Sequence, residues 1–249
     1  MRAFATALGF LTILPAGRAE PQPGDFGRAA MFFPLVGLLV GGALAGVQWC
    51  GRALWDSYIA AALMLGVGLL LTGGLHLDGL MDTADALFSR KSRARMLEIM
   101  RDSRSGALGV AAGIVVMALK FATYGYLEGP EDWRIIVASP IIGRTAIIAA
   151  LALFPYAREA GTGASFVVET KLRHAVGALV LAAGAAMALL GWGGLLVLAS
   201  GLVVALIASA YLNRLLGGLT GDVYGAINEK AEVAALLVGA LVGTVGLSL

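Results

Sequence analysis

The sequence predicts an all-α fold, a polytopic bundle of about seven membrane-crossing helices, and three observations carry that prediction. Hydrophobic residues make up 59% of the 249-residue chain and charged residues only 14%, with a mean hydropathy of +0.86. The apolar residues gather into charge-free runs close to the ~20 residues that an α-helix needs to span a bilayer. Basic residues concentrate between alternate runs, as the positive-inside rule requires of a multi-pass protein. With no repeat period or low-complexity linker, residues 1–249 read as one membrane domain. The net charge of +2 points to no nucleic-acid partner, and the single Cys50 cannot form an internal disulfide.

The chain opens with an interfacial segment, 1–28. Ala3 to Leu14 behind Arg2 has the outline of a signal peptide, with small residues near Ala16-Gly17-Arg18-Ala19. A short helix stopped at Pro15, lying against or partly in the membrane, is the reading preferred here. Seven apolar runs follow, at 29–50, 57–75, 106–127, 135–154, 175–191, 194–212 and 233–249. The uncharged stretch 175–212 is too long for one span and is expected to turn at Gly191-Trp192-Gly193-Gly194. Gly37, Gly41 and Gly42 permit close helix contacts, within one subunit or between copies in a homo-oligomer.

Threading these spans alternately through a bilayer sorts the charges. One side receives Arg2, Arg18, Arg28, Arg90, Lys91, Arg93, Arg95, Arg101, Arg104, Arg158, Lys171, Arg173, Arg214 and Lys230. The other receives Arg52 and Arg134 beside acidic Asp56, Glu128, Glu131 and Asp132. The N-terminus and the loops 76–105, 155–174 and 213–232 are therefore expected in the cytoplasm, at an inner membrane.

Chemistry concentrates in two of those loops, 76–105 and 213–232. In Gly73-Gly74-Leu75-His76-Leu77-Asp78-Gly79-Leu80-Met81-Asp82-Thr83-Ala84-Asp85, three carboxylates end a long apolar run. At about 100° per residue, Asp78, Asp82 and Asp85 fall within roughly 60° of one helix face. Like charges so placed repel, and near lipid they are costly, so a compensating cation is expected. All-oxygen donors favour Mg2+, Mn2+ or Ca2+ over zinc. The face is about 10 Å long, too long for one ion to reach all three. Asp78 with Asp82, or Asp82 with Asp85, can share an ion, and Asp222 can complete a shell.

Downstream, Arg101-Asp102-Ser103-Arg104-Ser105 precedes the next span. Ser103 or Ser105 is expected to cap that helix, with Arg101 and Arg104 placed to hold a phosphate, Arg104 above all. The plainer alternative makes these arginines membrane anchors. In the second loop, Asp222 sits among glycines, and Asp222, Asn228, Glu229 and Glu232 share a helical stretch; a solvated face around Lys230 is the competing reading for Glu229 and Glu232. His76 can bind substrate, orient a carboxylate or simply be a satisfied interfacial histidine. Lys120 inside a span is expected to snorkel or pair internally, Arg144 is placed deeper, and His174 reads as surface. Carboxylate-held Mg2+ with nearby arginines suits transfer of a phosphate-linked group from a diphosphate.

Five segments, Phe10-Leu11-Thr12-Ile13-Leu14-Pro15, Phe33-Pro34-Leu35-Val36-Gly37, Thr72 to Asp85, Leu97 to Val110 and Gly218 to Glu232, together resemble the landmarks of the cobalamin synthase family, the adenosylcobinamide-GDP ribazoletransferases. The combination of HLDGLMDTAD with EIMRDSRSGALGV is specific; the proline-containing strings alone are not. Ala86 stands where that family more often has glycine. The resemblance implies an Mg2+-dependent membrane enzyme joining adenosylcobinamide-GDP to α-ribazole or its 5′-phosphate and releasing GMP. On that reading Asp78, Asp82 and Asp85 hold the metal and one of these or Asp222 accepts the hydroxyl proton; the residues themselves add Asp222 as a further metal and catalytic candidate and His76, Arg101, Ser103, Arg104, Asn228 and Glu229 as candidates for binding substrate. Two rivals are a CDP-alcohol phosphotransferase, whose Asp-Gly is followed by Ala-Arg where this chain has Leu80-Met81, and an ion-coupled transporter, whose charges belong near the midplane.

Overall fold

The computed structural model describes residues 2–15, 22, 24–158 and 163–245. Lipid offers backbone groups no hydrogen bonds, so apolar runs satisfy them internally as helices. The helices are α1 (Arg2–Leu11), α2 (Asp25–Ala30), α3 (Phe33–Leu54), α4 (Ser57–Thr72), α5 (Leu75–Phe88), α6 (Arg93–Ile99), α7 (Ala107–Tyr126), α8 (Trp133–Leu153), α9 (Ala164–Glu169), α10 (Leu172–Leu216) and α11 (Gly221–Val245). Among the described residues, β-pairing is limited to one bridge between Tyr156 and Leu219.

Four helices, α3, α7, α8 and α10, are long and apolar enough to cross a membrane, and α4 with α5, bent by 90° at their junction, make a fifth. The difference from the expected seven has two physical sources. The expected runs 175–191 and 194–212 are the two arms of α10, counted above as one helix although it breaks at Gly191, and the run 233–249 follows the polar first half of α11. Arg18 and the end of that last run, 246–249, lie outside the described residues.

Gly191 interrupts α10 with φ 58 and ψ −147. A Cβ on Gly194 would collide with the carbonyl oxygen of Ala186. Residues eight apart in a straight helix are about 12 Å apart along the axis, so the chain folds back here into two arms. The break lies at the first residue of the expected turn.

At the centre stands α8, buried over 89% of its most apolar stretch and packed on α3, α10 and α11. Gly37 and Gly41 lie against the backbones of Pro140 and Val137, so these two glycines serve a contact inside the subunit. The bundle has two recognisable ends. At one, Gln48 Nε2 donates to the Leu127 carbonyl at 3.0 Å, joining the C-terminal ends of α3 and α7. At the other, Ala157 N donates to Leu219 O and Leu219 N to Pro155 O, each at 2.8 Å, tying the loop after α8 to the loop after α10. The N-terminal helix ends at Leu11, four residues short of the expected stop at Pro15, and buries Ala7 and Leu11 in the core.

Candidate functional site

Two glycines launch the site. Gly73 (φ 60) and Gly74 (φ 70) adopt the left-handed conformation that side chains disfavour, and they turn the chain by 90° from α4 into α5. Helix α5 then crosses α11 at glycine contacts. A Cβ on Gly79 would lie 2.6 Å from the carbonyl oxygen of Asp222, and one on Gly225 would lie 2.9 Å from that of His76. This crossing brings the acidic face of α5 to the start of α11. Asp82 lies within electrostatic reach of Asp78, Asp222 and Asp85 and of the Arg158 guanidinium. Asp78 and Asp222 line one cavity.

Asp222 is held in place. Arg158 Nη2 donates to its Oδ2 at 2.8 Å, and the Thr220 hydroxyl donates to the same oxygen at 3.3 Å. Burial pushes the Asp222 carboxyl up, against the opposing pull of Arg158. The Nε of Arg158 is buried without a partner, a donor left over on the cation nearest the carboxylates. Sequence reasoning counted Arg158 only as one of many basic residues on one side. Its signal was its loop, which the Tyr156–Leu219 bridge fastens beside Asp222.

Asp85 is placed differently from its neighbours. Its Oδ2 accepts from Gly106 N and its Oδ1 from Gly109 N, each at 2.7 Å, so it caps α7. That corrects the expected serine cap: the N-cap residue is Gly106, which makes no side-chain cap bond, and Ser103 and Ser105 are exposed. Arg101 is exposed as well. Arg104 is paired with its own loop, its Nε and Nη2 donating to Asp102 at 3.0 and 2.8 Å. Those bonds hold the Asp102 carboxyl down at about 2.

The remaining expected residues form a second polar group, inside the bundle. Lys120 Nζ lies 2.7 Å from Glu229 Oε2 and 2.6 Å from Glu232 Oε2. Arg144 Nη1 pairs with Glu232 Oε1, to which Asn228 Nδ2 also donates, at 2.9 Å. All five are buried. The reading of Glu229 and Glu232 as a solvated face is therefore corrected: two cations from α7 and α8 neutralise them, and Lys120 has the internal partners expected of it. His76 is buried between this group and the cavity of Asp78 and Asp222, lining both. His174, expected at the surface, is buried against Gly27, because the small residue admits the ring.

Among the described residues, no three His, Cys, Asp or Glu side chains converge as a ready-made metal cage. The donor chemistry nevertheless fits Mg2+, a hard ion that keeps several waters and takes one or two carboxylates plus substrate phosphates. Asp78, Asp82 and Asp222 supply oxygen donors in excess of the one guanidinium beside them.

Fold and site together define a polytopic helical membrane protein with a carboxylate-rich cleft at one end of its bundle. Comparison with known families narrows the class. A model described as cobalamin-5-phosphate synthase matches residues 3–240, and the chain belongs to that family. Curated relatives named adenosylcobinamide-GDP ribazoletransferase include that of Roseiflexus sp. (strain RS-1), 42% identical over 92% of this chain and 86% of the relative. Those of Herpetosiphon aurantiacus and Pseudomonas savastanoi pv. phaseolicola are 40% identical over 94% of each chain, and 39% identical over 97% of this chain and 100% of the relative. No solved structure matches the chain significantly.

Proposed function

We propose that the chain is an adenosylcobinamide-GDP ribazoletransferase that transfers the adenosylcobinamide-phosphate group to α-ribazole, or its 5′-phosphate, and releases GMP. The observation that carries this reading is the family match across residues 3–240, which includes both acidic segments. The same membership argues against the CDP-alcohol phosphotransferase and the transporter. In the reaction, a ribose hydroxyl forms the new bond to the phosphorus on the corrinoid side chain. The bond from that phosphorus to the bridging oxygen breaks, and GMP leaves with that oxygen.

Mg2+ is the cofactor proposed, held by Asp78, Asp82 and Asp222; when bound it neutralises charge on the diphosphate. The protein's own residues do the rest. Arg158 keeps Asp222 oriented and has its Nε free for a phosphate oxygen, and a carboxylate of the cleft accepts the hydroxyl proton. Asp85 fastens α7 to α5 and so fixes the acidic face. The reversal at Gly191 and the apolar half of α11 support seven crossings, with the cleft facing the cytoplasm of an inner membrane.

Purified protein in detergent or liposomes, given adenosylcobinamide-GDP and α-ribazole or its 5′-phosphate, is expected to release GMP and form a cobamide visible by mass spectrometry. EDTA should abolish both. Release of CMP from a CDP-activated lipid, with the corrinoid untouched, would overturn the assignment.

A further inference from the structure

Beside Asp78 and Asp222 the bundle holds a small cavity of about 80 Å3. Its far wall is apolar. Phe10 from α1, Ile147 and Leu151 from α8, and Phe166 from α9 line it, with the two phenyl rings 4.4 Å apart between centroids. Two polar residues share the lining, Tyr224, 5% exposed, and His76, 4% exposed, and the Tyr224 hydroxyl and His76 Nε2 are buried with no hydrogen-bond partner. A buried polar group left unpaired costs about 1–3 kcal/mol, so two in one cavity beside a reactive cleft point to a ligand that completes them.

We infer that this cavity receives the aromatic base of the acceptor nucleoside, with the Tyr224 hydroxyl donating to the base's unsubstituted ring nitrogen; the inference rests on the ribazoletransferase reading. Of the groups in the two substrates, the corrin macrocycle is too large to enter. Guanine carries a carbonyl, an amino group and ring N–H along its edges and would leave most of them unpaired against phenylalanine, leucine and isoleucine. A substituted benzimidazole is flat and bicyclic, is apolar at its outer edge and carries one free acceptor nitrogen. It matches a wall with aromatic faces and a single hydroxyl donor. With the base seated there, its ribose extends toward Asp78 and Asp222, where the attacking hydroxyl loses its proton, and His76 Nε2 lies beside the sugar.

Tyr224→Phe keeps the ring and deletes only the donor; Leu151→Phe instead fills the cavity from α8. Calorimetric titration of purified protein with α-ribazole reads the cavity without turnover, and steady-state assays give a KM for each substrate. Tyr224→Phe is expected to weaken α-ribazole binding and raise its KM about tenfold, the effect of one hydrogen bond, while the KM for adenosylcobinamide-GDP stays within about twofold. Leu151→Phe is expected to follow the same pattern. Wild-type affinity for α-ribazole in both variants, a shift confined to the donor's KM, or no binding of α-ribazole to the unmodified protein would overturn the inference. Tyr224-dependent binding of α-ribazole without GMP release would support the cavity assignment while refuting the proposed reaction.

Discussion

Asp82 is the carboxylate around which the others are arranged. It sits one helical turn from Asp78, nearly one from Asp85, and across the glycine crossing from Asp222, with the positive charge of Arg158 among them. An Asp82→Asn substitution keeps the size and removes the charge. If Asp82 holds Mg2+, losing it from the metal clamp removes several kcal/mol of transition-state stabilisation, so turnover is expected to fall more than about a hundredfold. Insertion and thermal stability should stay near wild type, since Asp82 makes no fold-holding bond of the kind that Asp85 makes. Full turnover by a well-expressed Asp82→Asn protein would remove it from the metal site. The buried group around Glu232 has the opposite character. Two acids on α11 are matched by one cation from α7 and one from α8, and breaking such a pair from one side leaves an uncompensated charge. That match was partly visible in the sequence, where Lys120 and Arg144 stand out as cations inside apolar runs. The spacing of Glu229 and Glu232 around Lys230 suggested solvent because spacing does not say which neighbouring helix covers a face.

Among the elements, those whose determinants are local were readable from the chain. The apolar runs anticipated α3, α4, α7 and α8, and the glycine cluster after Leu190 anticipated the break in α10, because helix length in lipid and backbone freedom at glycine are local properties. The cap of α7 was not readable. Ser103 and Ser105 have the right chemistry at the right distance, but the carboxylate that does the capping comes from Asp85 on another helix. Gly106 and Gly109 show why this helix took a remote cap: a side chain at either position would strike Asp85. Asp85 therefore couples the two helices, and its loss should be felt as stability. Asp85→Ala leaves two amides at the start of α7 without their acceptor, a loss of about 1–2 kcal/mol, and a lower unfolding midpoint in detergent than wild type is expected. Asp82→Ala, lacking such bonds, should melt close to wild type. Equal melting of the two variants would show that the Asp85 contacts contribute little to the fold.

At the scale of the whole molecule, the two ends of the bundle differ in chemistry. All four tryptophans, Trp49, Trp55, Trp133 and Trp192, are exposed at the end where α3, α7 and the arms of α10 turn, as amphipathic rings at a membrane boundary would be. The opposite end holds Asp78, Asp82, Asp222 and Arg158, together with the basic residues of the loops 76–105 and 155–174. Carboxylates at a basic end of an apolar bundle suit the diphosphate donor of the proposed reaction. If seven crossings underlie the bundle, the basic end is cytoplasmic, and single cysteines can test both the count and the side. With Cys50 first replaced by serine, Ser103→Cys and Ser165→Cys are expected to resist a membrane-impermeant thiol reagent added outside intact cells, and Gly129→Cys is expected to react. After the membrane is opened, the first two should label as well. Labelling of Ser103→Cys and Gly129→Cys from the same side would show that the chain between them crosses an even number of times, contrary to the single passage of α7, and the seven-crossing arrangement would fail with it.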